Sequence, residues 1–184
     1  GPYAGLSGGV LEQGCIFALG PYRINASQIH ACTVRTNTAQ GGAFRGFGIN
    51  QSANCIETMI DEAAEKLGLD PFEIRLRNAL VPGDKTITTE TVIESVGILR
   101  TIQACQEKAK PIIAHYREMY REKNDPDLVL GVGVASGFKN VGVGKGNPDN
   151  GGCILTKLPD GRYKMALSGI DMGQGFRTAM VQIA

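Results

Sequence analysis

The sequence predicts an α+β fold, mostly helical in its first part and β-rich in its second. Three observations carry this. Apolar residues at 53, 56, 59, 60, 63, 64 and 67 recur at helical spacing. Asp70-Pro71-Phe72-Glu73 has the order of a capped helix start. From residue 128 onward, short apolar runs alternate with glycine, and Pro159-Asp160-Gly161 supplies a hairpin turn.

Taken in order, residues 8–19 read as a short apolar helix that ends at Gly20-Pro21. The alternation of residues 22–37 predicts one or two strands. A glycine loop follows, then a helix over 49–68 with Gly68 as its C-cap. A second helix starts after Asp70 as N-cap, with Pro71 in the first helical position and Glu73 in the third. Residues 81–84 break it, and the run from Ile87 to Ile93 suits a small strand. Residues 95–123 are helical again, and Pro111 within them predicts a kink or two helices. The turn at 124–127 is a candidate boundary. It divides a helix-rich portion, 1–127, from a β-rich start of a second portion, 128–184, which begins with a strand-like run at 128–139. The chain stops within an apparent helix at Ile183-Ala184 and begins as abruptly, so the sequence reads as an internal piece of a longer polypeptide.

Composition narrows the function classes. With 19 basic and 18 acidic residues the net charge is +1, which argues against nucleic acid or a membrane surface as a partner held by bulk charge. The five cysteines form no paired ligand motif, which predicts reduced thiols and a cytoplasmic protein rather than a zinc or iron–sulfur site. His30 and His115 are isolated, so no Ser–His–Asp or Cys–His set arises. Glycine is the outlier, 25 of 184 residues, and its clusters mark where backbones turn sharply or something approaches closely.

Two of these clusters invite chemistry. In Gly41-Gly42-Ala43-Phe44-Arg45-Gly46-Phe47-Gly48, glycines leave the backbone accessible and Arg45 adds a planar donor fork. The same residues also suit a tight turn with both phenylalanines in the core, or one in the core and one facing a cavity. In Asp171-Met172-Gly173-Gln174-Gly175, a Gly-x-Gly before a helix start offers free amides to an anion. A plain strand–turn–helix junction fits equally well. Neither the P-loop nor the dinucleotide spacing is present: Lys145 is followed by Gly146, and the glycines of the first loop fall at 41, 42, 46 and 48. The charges of residues 61–66 read as a solvated helix face.

Both motifs, in their order and spacing, resemble the molybdenum-binding large subunit of the xanthine dehydrogenase and aldehyde oxidoreductase family of molybdenum hydroxylases. There Ala-Phe-Arg-Gly-Phe-Gly and Met-Gly-Gln-Gly are cofactor segments, and the resemblance extends over essentially the whole chain. It implies a molybdopterin cofactor contacted by Ala43, Phe44, Arg45, Gly46, Met172, Gly173, Gln174 and Gly175. Phe47 and Gln13 are implied to meet the substrate, with no direct protein ligand to the metal. The implied chemistry is oxidation of an N-heterocycle or aldehyde by attack of a molybdenum hydroxide and hydride transfer to a molybdenum sulfide. Iron–sulfur clusters and FAD are expected in other domains or subunits, and the catalytic glutamate downstream of this chain, which leaves this polypeptide inert by itself. Four positions depart from the family pattern: Ile49-Asn50 stand before Gln51 where a small residue and proline are usual, Asp171 replaces a glutamate, and Gln13 stands where purine-oxidising members carry arginine. No aromatic residue occurs at 141–146, where a second ring of a purine clamp would fall. A non-catalytic binding or scaffold module built on the same fold piece is the rival reading.

Overall fold

The computed structural model describes residues 1–93, 95–142 and 148–184. Lys145, where the P-loop spacing fails, and most of the stretch that lacks a second ring lie outside them. The chain divides into two compact units, Gly1–Lys139 and Asn140–Ala184.

The first unit holds four helices: α1 (Ser7–Ile16), α2 (Ile49–Leu67), α3 (Pro71–Asn78) and α4 (Ile98–Lys123). Helix α2 follows its apolar spacing and stops where Gly68 adopts a left-handed conformation at φ 63°, with the Gly68 and Leu69 N–H groups closing onto Glu65 and Ala64 carbonyls. Asp70 caps α3 as expected, its Oδ1 accepting from the N–H of Phe72 at 2.8 Å and of Glu73 at 3.3 Å. The reciprocal arm of a capping box is not formed: the Glu73 carboxylate pairs with Arg77 one turn on. Helix α4 runs as one element across Pro111, and Asn124 ends it in a left-handed conformation.

The strands expected at 22–37, 87–93 and 128–139 are not formed. A strand exists only through its partner, and among the described residues these runs find isolated bridges or none. Tyr22 bridges Ala79, and Lys85 bridges Thr91 across a tight turn that places Thr89 at positive φ. Segment 128–139 contributes packing instead, with Val134 against the Phe72, Ala79 and Ile102 cluster that joins α3 to α4. The second unit does carry its predicted hairpin, β1 (Cys153–Lys157) antiparallel to β2 (Tyr163–Leu167), with Leu155 opposite Met165, followed by α5 (Phe176–Ile183).

A polar network fastens the first unit. Arg75 is fully buried, on the stripe it shares with Phe72 and Ala79. Its Nε donates to Glu57 Oε2 and its Nη1 to Asp61 Oδ1, both at 2.8 Å, and Nη1 also reaches the Pro71 carbonyl at 2.9 Å. Tyr22 donates its hydroxyl to the other Glu57 oxygen at 2.6 Å. Burial, reinforced by the Glu57 carboxylate, pushes the Tyr22 hydroxyl well above the ordinary phenol range. Burial alone would lower the Arg75 pKa, but hydrogen bonds to Asp61 and Glu57 raise it. Asp61 keeps the exposure expected of a solvated face and also anchors Arg75 across the two helices.

Removing Arg75 would strand Glu57 in the interior. Arg75→Ala is expected to cost about 3–5 kcal/mol, against roughly 0.5 kcal/mol or less for Arg77→Ala, which breaks an exposed pair. Denaturant midpoints measure the difference, and equal shifts for the two variants would refute the clamp.

Candidate functional site

The first glycine loop enters α2 through three successive residues at positive φ: Gly46 at 97°, Phe47 at 51° and Gly48 at 104°. Glycine takes such values freely. Phenylalanine does so at a cost of about 1–2 kcal/mol, so the surrounding packing must hold it there. That packing is visible on α1. A Cβ on Gly48 would lie 2.0 Å from the Val10 carbonyl oxygen, and one on Gly9 would lie 3.0 Å from the Phe47 ring. A Cβ on Gly14 would come within 3.3 Å of the Gly48 oxygen. The glycines of α1 and Gly48 thus let two backbones meet. Ligand clearance is not what Gly48 supplies; Gly41 and Gly42 are the loop glycines that face open space.

Three consecutive carbonyls of the loop are tied down. Phe44 O accepts from Phe47 N at 2.8 Å, Arg45 O from the side-chain amide of Asn50 at 2.8 Å, and Gly46 O from Ile49 N at 3.2 Å. Among the described residues the N–H groups of Ala43, Phe44, Arg45 and Gly46 donate to no protein acceptor. Arg45 is exposed and makes no ion pair among those residues. The result is a run of free donors beside a permanent cation, a donor set suited to anionic oxygens. A cleft of about 530 Å³ adjoins it, walled in part by Gly41, Gly42, Ala43 and Gly48 of the loop and by Val10 and Leu11 of α1.

The other expected residues of this unit are placed as follows. Phe44 is 73% exposed, whereas Phe47 is half-buried against α1. Neither ring lines the cleft, and of the expected cofactor contacts in this unit only Ala43 does. Gln13 lies on α1, where its Oε1 accepts from Lys139 Nζ at 3.2 Å. The same ammonium sits 5.4 Å from the centre of the Phe17 ring, which meets Phe138 edge to face. The segment ending at Lys139 thus brings a cation to the amide at position 13, which the spacing of the sequence does not announce.

The second loop belongs to the other unit and has a different character. The free amides expected there are largely occupied by the loop itself. Asp171 Oδ1 accepts from Gly173 N at 2.8 Å and Oδ2 from Arg177 N at 3.2 Å. Gln174 bridges the turn, accepting from Met172 N at 2.7 Å and donating to the Ile170 carbonyl at 2.8 Å. Gly173 and Gly175 both adopt positive φ, and Gly175 faces open space. Upstream, the Phe176 ring fills the place a Cβ on Gly169 would take, 2.1 Å from that position, which anchors α5 to the loop. The Gly173 N–H, followed by that of Arg177, holds the Asp171 carboxyl below the usual carboxylate range. The loop thus shows by its own side chain that its amides donate to an anionic oxygen. Among the described residues, no three His, Cys, Asp or Glu side chains gather to hold a metal ion.

Comparison with known proteins identifies the family of the chain. Two family models, each described as a molybdopterin cofactor-binding domain, match residues 1–79 and 104–184. A probable xanthine dehydrogenase subunit from Bacillus subtilis is 31% identical over 183 residues, covering 100% of this chain and 24% of its own length. The nicotinate dehydrogenase large molybdopterin subunit of Eubacterium barkeri is 35% identical over 115 residues, 62% of this chain and 27% of that protein. The crystal structure of the aldehyde oxidoreductase from Desulfovibrio desulfuricans superposes with a TM-score of 0.66 at 26% identity, covering 89% of this chain and 17% of that one. The chain therefore spans about a quarter or less of the length of these proteins.

Two outcomes follow from the loop geometries. Gly48→Ala combines positive φ with a clash against backbone and is expected to cost about 2–5 kcal/mol. Gly42→Ala, in open space, should stay within roughly 0.5 kcal/mol. Thermal unfolding of the two variants measures both. For Asp171 the folded pKa is depressed, so its capping is fully present above the ordinary carboxylate range and fades as pH falls through the folded value. Amide exchange at Gly173 and Arg177, corrected for intrinsic rates, should accelerate in acid, and Asp171→Ala should abolish that acid dependence. A wild-type protection that does not change with pH would contradict the capping role.

Proposed function

The chain belongs to the molybdopterin cofactor-binding domains of the xanthine dehydrogenase and aldehyde oxidoreductase family, and from that premise we propose that its first glycine loop holds the molybdenum end of the cofactor. Four adjacent N–H groups without a protein partner among the described residues, with Arg45 beside them, carry this reading. Ala43, Phe44, Arg45 and Gly46 form the contact. Met172, Gly173, Gln174 and Gly175 line the pterin and its phosphate, whose oxygens would compete for the amide donors that the Asp171 carboxylate holds. The donors fit the group: backbone amides and a guanidinium are the complement of phosphate and of oxygen atoms bearing negative charge.

When bound, the molybdenum cofactor supplies two-electron oxidation with hydroxyl transfer to an electron-poor carbon. The chain's own residues position and bind. Phe47 is the ring that would meet a flat substrate, through the side of the ring not seated against Gly9 of α1. Gln13, its carbonyl oxygen engaged by Lys139, keeps its amide N–H₂ to donate to substrate. This place holds a neutral donor where purine-oxidising members carry arginine, with the Lys139 ammonium 3.2 Å from its oxygen, and the substrate is an N-heterocycle or aldehyde. Its relatives are named for nicotinate, xanthine and aldehyde. None of the motif-matched positions here is a general base, and a glutamate elsewhere in the enzyme serves as one. Electrons leave through iron–sulfur and flavin domains or subunits.

Arg45→Ala tests the assignment. Loss of a charge-assisted contact of about 1.5–3 kcal/mol is expected to lower cofactor content and substrate oxidation roughly 10–100-fold in the complete enzyme. Because Arg45 is exposed, the cofactor-free protein should lose no more than about 0.5 kcal/mol. Full molybdenum content together with a large loss of stability would overturn it.

A further inference from the structure

The free N–H groups of the first loop are aimed by the carbonyls of their own peptides. Each peptide is planar and trans, so its C=O and N–H point in opposite directions. Fixing the carbonyls of Phe44, Arg45 and Gly46 therefore fixes the N–H groups of Arg45, Gly46 and Phe47. The Phe47 N–H is spent inside the turn on the Phe44 carbonyl. Those of Arg45 and Gly46 are left facing away from the groups that hold their carbonyls.

Two of the three restraints are backbone-to-backbone bonds. The middle one is different. The Arg45 carbonyl is held by a side chain, Asn50 Nδ2 at 2.8 Å. The other end of the same amide lies against Gly46: a Cβ there would fall 2.5 Å from Asn50 Oδ1. Asn50 thus grips the Arg45–Gly46 peptide from one side, and only glycine at position 46 lets it come this close. Without that grip the peptide, next to a glycine at φ 97°, is free to rotate and turn its carbonyl outward. An outward carbonyl would present a negative dipole where an anion is to bind.

We propose that Asn50 is a positioning residue that holds the Arg45–Gly46 peptide with the Gly46 N–H directed at an anionic oxygen of the bound cofactor. This rests on the reading of the loop given above. Asn50 acts through the loop backbone, by the bond from its Nδ2 to the Arg45 carbonyl.

The test uses the complete molybdenum-containing enzyme with Asn50→Ala, Asn50→Asp and Arg45→Ala. Molybdenum and pterin retained per chain are followed through prolonged dialysis, and thermal unfolding is measured on the cofactor-free forms. Asn50→Asp keeps the side-chain size but cannot donate to the Arg45 carbonyl. It also adds an acid to the first turn of α2, which has none, so the helix itself should be no less stable. Both Asn50 variants are expected to lose cofactor about tenfold faster than the wild type, with cofactor-free melting temperatures unchanged or, for Asn50→Asp, raised. Wild-type retention in both Asn50 variants alongside rapid loss in Arg45→Ala would overturn the positioning role and leave the loop assignment standing. Wild-type retention in all three would overturn the loop assignment and this proposal with it. A fall in cofactor-free melting temperature that parallels the loss of retention would make Asn50 a structural residue and overturn the proposal.

Discussion

Arg75 is cut off from water, so each of its donors must find an acceptor inside the protein. It finds them on α2, in Glu57 and Asp61, and in the first turn of its own helix α3, in the Pro71 carbonyl. Tyr22 closes the set from the segment that follows α1. A buried ion pair of this kind contributes little net stability compared with an apolar packing of the same shape, because both charges have been desolvated. What it does is fix an arrangement. Any slide of α2 along α3 would leave a charge unpaired, and the two helices are therefore locked in register.

The position of the candidate site follows from that lock. Helix α2 is held near its middle by Glu57 and Asp61, and its first residue continues directly from the glycine loop. Gly48 seats that end against the Val10 carbonyl of α1, at a distance that admits no side chain. With both ends of the problem solved by packing, the loop's carbonyls are consumed internally and its amides are left over. The second loop reaches a different balance. There Asp171 and Gln174 satisfy the amides from within, and the loop keeps its shape without a ligand. Two glycine motifs that look alike in sequence therefore present opposite states: one with open donors, one whose donors already hold a carboxylate.

Much of this was legible in the sequence where the cause is local. The spacing from Ala53 to Leu67, the Asp70 cap and the Pro159-Asp160-Gly161 turn each depend on neighbours within one or two turns of chain, and each formed. The runs at 22–37 and 128–139 alternate as strands do, but pairing is a non-local condition that alternation cannot supply. Glu57 was hidden by the convention that charges lie outside. The signal against that convention was Arg75, which falls on the buried stripe of α3 and needs an anion opposite. Motif resemblance named the residues of both loops and the family of the chain. It gave no hint that Gly48 serves a helix contact, that Asp171 occupies its own loop, or that Asn50, a departure from the family pattern, grips the peptide before Gly46. Those facts depend on where side chains turn, which a motif does not encode.

The central claim is that the open amides of residues 43–46 receive the molybdopterin cofactor. The most direct measurement is amide hydrogen exchange on the complete enzyme with and without its cofactor, read on peptides spanning 41–50. Strong cofactor-dependent protection is expected, confined in this region to the amides of 43–46, with the α2 amides after Ser52 unchanged. Identical exchange of 43–46 in the two forms, with protection appearing elsewhere in the chain, would contradict it.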